Sequence, residues 1–212
     1  RREELQEIAE LTSSFEPGLI GFTCMTPQWP YVREAASILK TAMPMVPVIC
    51  GGVHATFAPE QVLGSGCIDA VIVGEAENAI VEVVDRLSQN RGLNGIEGVW
   101  TVENGRAISS GAAIPVAELD SLPFPDRAGL GQEEILRKNG GELFVMCSRG
   151  CVFSCAYCCS PGWRELVRRW GVAPVRWRTV GSVLDEIAES LEMYSELVKS
   201  IYFVDDNFHP PG

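Results

Sequence analysis

The chain lacks any apolar run approaching the ~20 residues that a membrane-spanning helix needs, so no membrane span is expected. No secretory or transit leader is expected in its opening either. The opening RREELQEIAE carries the alternating charges of a solvated helix, with Leu5, Ile8 and Leu11 on one side. Positive charge is scarce: 17 Lys and Arg against 28 Asp and Glu leave a net charge of −11. That excludes the broad basic face needed to neutralise nucleic-acid phosphates. The local exception is WRELVRRWGVAPVRWR (163–178), where Arg and Trp interleave. It reads as a basic loop packed on its own acidic domain, with contact to a polar or anionic substrate as the alternative. Internal repeats and low-complexity tracts are absent.

What is present is a globular composition, 46% hydrophobic and 21% charged over 212 residues, long enough for one large domain or two small ones. The first half alternates strand and helix. GLIGFTC (18–24), VPVICGG (46–52) and IDAVIVG (68–74) are apolar strands. A helix around 31–42 places Val32, Ala35, Ala36 and Leu39 on one face, a short helix begins near Pro59, and a further helix from about Ala76 aligns Ala79, Ile80, Val83, Val84 and Leu87. Such alternation predicts an α/β fold with a doubly wound parallel sheet of Rossmann type.

The pattern then changes. GVWTVENGRAIS (98–109) predicts a hairpin about Asn104-Gly105, and AELDSLPFPDR (117–127) an extended linker. ELFVMCSRGC (142–151) starts a new strand that runs into a cysteine-rich loop. Ser182 is expected to cap a helix, with Asp185 three residues on and Val183, Leu184, Ile187, Leu191 and Tyr194 as its buried stripe. SIYFVDDNF (200–208) is the next strand, ending in carboxylates. The expected segmentation is a first domain over 1–95, hairpin and linker over 96–141, and a second domain over 142–212. The chain does not begin with Met, and three strands are fewer than such sheets usually have, so an interior fragment of a longer protein is expected.

Five of the eight cysteines fall in CSRGCVFSCAYCC (147–159). Clustering without a secretory signal favours metal or redox chemistry in a reducing cytoplasm over disulfides. One set fits the spacing C-x3-C-x2-C: Cys151, Cys155 and Cys158. Three thiolates on a [4Fe-4S] cluster leave one iron with open positions for a chelating ligand, whereas four would close it. A structural zinc site formed by these three with Cys147 is the alternative. Cys147 and Cys159 otherwise read as bystanders, and Cys24, Cys50 and Cys67 as small buried hydrophobes.

CVFSCAYC, placed after a strand and with Tyr157 before its last cysteine, resembles the signature of the radical S-adenosylmethionine (SAM) superfamily. The resemblance implies a [4Fe-4S] cluster on Cys151, Cys155 and Cys158 whose open iron is chelated by SAM, and reductive cleavage of SAM to a 5′-deoxyadenosyl radical. It also implies that Asp205 and Asp206 lie where the SAM amino group binds, that the backbone of Tyr157 lies by the adenine, and that an electron donor such as flavodoxin or ferredoxin acts on the protein.

In the first half, Gly51-Gly52 and His54 follow one strand, and Gly74-Glu75 ends the next. Carboxyl ends of parallel strands are where such sheets hold ligands, and glycine lets a backbone approach a bulky group. Ordinary βα turns account for either motif alone. Set before the cysteine loop, GFTCMT, GGVHAT and VGEAE resemble the cobalamin-binding domain of B12-dependent radical SAM enzymes, which implies cobalamin contacts at Thr23, Gly51, Gly52, His54, Gly74 and Glu75. The second domain would then be the start of a radical SAM (β/α) barrel. D-x-H-x-x-G, the signature that supplies a histidine to cobalt in other B12 domains, is absent, so His54 is not assigned as an axial ligand. The expected activity is methylation of an unactivated carbon of a small molecule or peptide. A radical cyclisation or rearrangement, or a non-catalytic iron–sulfur or zinc module, are the alternatives.

Overall fold

The three apolar segments of the first half pair side by side in parallel. The computed structural model describes residues 2–111 and 113–208, with the side chains of residues 2–5 left aside. Two units divide the chain, Arg1–Pro115 and Val116–Gly212.

In the first unit, α1 (Arg2–Ser14) precedes β1 (Ile20–Thr23), and α2 (Trp29–Ala42) crosses to β2 (Val48–Gly51). Short helices α3 (Val53–Phe57) and α4 (Pro59–Leu63) lead to β3 (Ala70–Ile72), followed by α5 (Glu77–Ser88). Register aligns Ile20 with Val48 and Ile49 with Ala70. All three residues of β3 are buried, as expected of a strand covered on both faces. Ala79 and Val83 of α5 pack on Ile49, Ala70, Ile72, Ile96 and Val99. Each fully buried aliphatic side chain of this kind contributes roughly 1.5–3 kcal/mol. Val84, expected on the same stripe, is instead 49% exposed. The C-terminal turn of α2 is tied to the sheet by Lys40 Nζ, which donates to Asp69 at 2.7 Å, while Asp69 also accepts from the Val48 amide at 2.7 Å.

The hairpin expected to lie in the connecting segment belongs to the first unit instead. Strand β4 (Val99–Glu103) pairs antiparallel with β3, and β5 (Arg106–Ser109) pairs with β4, giving the order β1-β2-β3-β4-β5. Asn104 and Gly105 close it with φ of 50° and 74°. The reason is burial: Val99 and Thr101 face the sheet interior and would be stranded in a free linker.

In the second unit, α6 (Gln132–Lys138) precedes β6 (Glu142–Val145), β7 (Ser148–Arg149), α7 (Ser160–Arg169), β8 (Arg176–Trp177), α8 (Val180–Tyr194) and β9 (Ser200–Phe203). Strands β6 and β9 are parallel, Leu143 opposite Ile201, and the core gathers Leu136, Leu143, Val145 and Val183. Three expectations change here. The basic stretch 163–178 is not a loop throughout: it supplies most of α7, where Val167 is buried, and all of β8. The cap of α8 is Thr179, not Ser182: Thr179 is extended, with ψ of 151°, and its hydroxyl accepts from the Ser182 amide. Leu184 and Leu191 are 57% and 36% exposed, because Glu186 and Ser190 take the buried positions. Glu186 can do so because Arg127 pairs with it at 2.6 Å and Arg178 holds its other oxygen.

Among the described residues, no helix is long and apolar enough to cross a membrane.

Candidate functional site

The cysteine loop leaves the C-terminal end of β6 and is braced at both shoulders. At its start, the Cys147 amide donates to both oxygens of Asp205 at 3.2 Å, and the Ser148 hydroxyl donates to the same carboxylate. Asp205 is held there because Val204, just past β9, donates to Val145 at 2.9 Å. Beyond it, β7 pairs antiparallel with β8, Arg149 opposite Arg176. Gly150 has φ of +96°, and a Cβ there would run into the Pro174 carbonyl. Only glycine lets the chain turn at that point into Cys151.

The three spaced cysteines follow on an irregular segment. Cys151 is half-buried, Cys155 and Cys158 are exposed, and none of the eight cysteines is in a disulfide. The Cys158 amide donates to the Cys155 carbonyl at 3.1 Å, which turns the chain between the last two. Cys158 lies two residues before α7. There the Ser160 amide donates to its sulfur at 3.4 Å, with the Ser160 hydroxyl at 3.2 Å. These hydrogen bonds from Ser160 lower the Cys158 pKa below the ordinary thiol value. Burial, followed by the Asp205 charge, raises that of Cys147. Burial and then the Cys158 charge raise that of Cys159. The environment therefore separates a member of the spaced set from the two neighbours read as bystanders. Tyr157 is 93% exposed, and its phenol is held protonated above its usual range by the charge and hydrogen bond of Cys155.

Alkylation offers a direct check. Because Cys158 carries the larger thiolate fraction at neutral pH, limiting iodoacetamide should modify it well before Cys147, read by peptide mass spectrometry. Equal labelling of the two would contradict the geometry at Ser160.

Among the described residues, no group of three or more His, Cys, Asp or Glu side chains is arranged to hold a metal ion. The loop thus presents the expected thiols without gathering them at one point. The donor set itself suits iron–sulfur or zinc, since thiolates are soft ligands, and metal binding commonly supplies the energy that draws ligands together. The two aspartates part company. Asp205 is engaged in holding the strand exit, whereas Asp206 is exposed and its charge acts on Cys158 and Cys159. Asn207, which the sequence showed only as the residue after that pair, has its amide nitrogen buried without a hydrogen-bond partner. Beside the same strands, Leu119, Phe124, Phe144, Met146, Arg127 and Arg178 line a cavity of about 280 Å³.

In the first unit, the carboxyl ends of β1 and β2 are laced together. The Cys24 amide donates to the Gly51 carbonyl at 3.1 Å, and the His54 amide to the Cys24 carbonyl at 2.9 Å. Gly52 has φ of +89°, and a Cβ there would lie 2.8 Å from the Cys24 nitrogen and the Thr23 hydroxyl. Gly51 differs: nothing lies within 4 Å of where its Cβ would be. That open approach at a strand end is what a bulky planar ligand requires. The Gly74 amide donates to the Thr56 hydroxyl at 3.1 Å, joining the end of β3 to α3. Thr56 is a linker that the sequence gave no reason to single out.

His54 is not presented at the surface. It is 5% exposed, its ring lies 5.3 Å from that of Trp29, and Nδ1 is 3.3 Å from the Thr26 hydroxyl. Burial lowers its pKa, so the ring is neutral near pH 7, and Nε2 is buried without a partner. Glu75 lines a recess of about 230 Å³ with Asn78, Glu82 and Ile96.

Residues 2–84 match the B12 binding domain family. An uncharacterized methyltransferase of Pyrococcus horikoshii is 35% identical over 205 residues, covering 95% of this chain and 42% of its own length. An anaerobic magnesium-protoporphyrin IX monomethyl ester cyclase of Rubrivivax gelatinosus is 28% identical, over 85% of this chain and 32% of its own. The chain thus spans less than half of either relative. The fold is similar to that of OxsB, a cobalamin-dependent S-adenosylmethionine radical enzyme solved with aqua-cobalamin and S-adenosylmethionine bound, with a TM-score of 0.75 at 21% identity over 96% of this chain and 27% of OxsB.

Proposed function

For a chain that belongs to the family of cobalamin-binding radical SAM enzymes, we propose a part in reductive SAM cleavage coupled to methylation of an unactivated carbon. The observation that carries this reading is the three-thiol set Cys151, Cys155 and Cys158, spaced C-x3-C-x2-C on an exposed loop at the carboxyl end of β6. When bound, a [4Fe-4S] cluster supplies the electron that cleaves SAM to a 5′-deoxyadenosyl radical, and cobalamin supplies a carrier for the transferred methyl group.

The chain's own residues have narrower tasks. Cys151, Cys155 and Cys158 ligate the cluster, and the hydrogen bonds from Ser160 favour the thiolate of Cys158. Asp206 pairs with the ammonium of SAM, and the orphaned Asn207 amide donates to an oxygen of the same ligand. Asp205 orients the loop by fixing Cys147 and Ser148. The Tyr157 backbone borders the adenine. In the first unit, Gly51 lets the β2 end approach the corrin while Gly52 makes the turn behind it, with Thr23, Gly74, Glu75 and the Nε2 of His54 as polar neighbours. A flavodoxin or ferredoxin supplies the electron, and the substrate is a small molecule or peptide.

A second reading is a radical cyclisation, which the likeness to the Rubrivivax gelatinosus cyclase favours. Anaerobic reconstitution with iron and sulfide should load about four irons per chain, with an EPR signal that SAM perturbs. A colourless zinc complex indifferent to SAM would replace both readings with a structural metal site. Incubating the loaded protein with methyl-labelled SAM and candidate acceptors separates the two, since only methylation moves label into product.

A further inference from the structure

We infer that Arg164 is the positioning residue that shapes the cysteine loop for its cluster, an inference that rests on the reading above. One guanidinium serves four acceptors in sequence. Its Nη1 donates to the carbonyls of Cys151 at 3.4 Å and Phe153 at 3.3 Å, and to that of Val152 between them, while Nη2 donates to the Ser154 hydroxyl at 2.5 Å. Those four residues are the whole stretch from the first ligand to the residue before the second.

Three successive carbonyls turned toward one cation impose a curved backbone. In a trans peptide the N–H points opposite to the C=O, so carbonyls gathered on Arg164 direct the intervening amides to the other side of the loop. Amides on that side are donors for cluster sulfur, and hydrogen bonds to sulfur tune both the retention and the potential of such clusters. A flexible loop without this clamp would have to order its backbone and bind iron together. Guanidinium suits the task for two reasons. Its fork reaches several acceptors at once, and its positive charge offsets the negative charge that three thiolates bring.

The rest of α7 makes the clamp rigid. Cys159 is the residue before the helix, the Trp163 amide donates back to its carbonyl at 3.0 Å, and Val167 anchors the same helix in the core. Helix α7 therefore grips the loop at two places one turn apart, at the Cys158 sulfur through Ser160 and at residues 151–154 through Arg164. This also explains why an arginine stands in a segment that the sequence marked only as basic.

The test is anaerobic reconstitution of the full chain and of its Arg164→Ala, Arg164→Lys and Ser154→Ala variants, followed by iron loss to a chelator and EPR with and without SAM. Arg164→Ala should lose iron roughly 10- to 100-fold faster than the parent, the usual cost of removing a supporting partner from a metal site. Its EPR spectrum should broaden, and Lys should restore only part of the retention because it lacks the fork. Ser154→Ala, which removes one acceptor and leaves the arginine in place, should show a smaller loss with an unchanged thermal transition. Parent-like retention and EPR in Arg164→Ala, or full rescue by Lys, would overturn the inference alone. A parent chain that takes up no cluster would overturn the proposed function and this inference with it.

Discussion

Replacing Cys155 with Ala is expected to abolish cluster loading and SAM cleavage, while Cys24→Ala leaves both intact. The contrast follows from what surrounds each sulfur. Cys155 is exposed, central in the spaced set, and close enough to Tyr157 to perturb its phenol. Two remaining thiols cannot hold a cubane that needs three. Cys24 is 2% exposed at the end of β1, and burial raises its pKa, which disfavours the thiolate that binds metal. Cys50 lies deeper, with its pKa pushed up to about 12, and makes a second control. Iron and sulfide content, with 5′-deoxyadenosine formation from SAM, reads the result. Loading of Cys155→Ala to the parent level would remove the ligand assignment.

The second large effect separates two adjacent glycines. Gly51→Val should leave the fold intact yet abolish cobalamin retention, because its Cβ direction is open and an added side chain would occupy the approach to the β2 end. Gly52→Ala should instead destabilise the first unit by roughly 1–3 kcal/mol, since a residue at φ +89° is strained and its Cβ would meet the Cys24 backbone. The two variants thus distinguish a ligand surface from a structural turn. Thermal unfolding and the cobalamin absorbance that survives gel filtration are the measurements. Gly51→Val that keeps its cobalamin would remove the β2 end from the ligand surface.

The chain order of strands and helices was legible because it rests on local periodicity. Apolar runs bounded by glycine marked β1, β2 and β3, and Asn104-Gly105 marked the hairpin turn. The partner of that hairpin was not legible, because pairing of β4 with β3 joins residues about thirty apart in sequence, and no short-range signal encodes it. Helix α8 shows a similar limit. Its stripe was expected to be wholly apolar, yet Glu186 and Ser190 are buried, and Glu186 is tolerated only because Arg127 and Arg178 arrive from other segments. A carboxylate on the inner face of a helix looks like an error until both arginines are in place.

The candidate site divides in the same way. Spacing alone selected Cys151, Cys155 and Cys158, since sulfur donors and their separation are written directly in the chain. Spacing could not separate Cys158 from Cys147 and Cys159 by ionisation. That difference depends on Ser160 beside Cys158, on burial of Cys147 and Cys159, and on Asp205 across the strand pair. Nor could it separate Asp205 from Asp206, adjacent residues whose side chains leave the chain in different directions.

The amino-acid order by itself determined the donor set, the strand-end glycines and the sequence of elements, because each depends on neighbours within a few residues. Tertiary structure alone decided which carboxylate braces the loop, which glycine is a turn and which an open approach, and that one arginine of a basic stretch holds the cysteine segment. Those outcomes arise from directional contacts between segments distant in the chain, formed only when the packed elements fix where each side chain points.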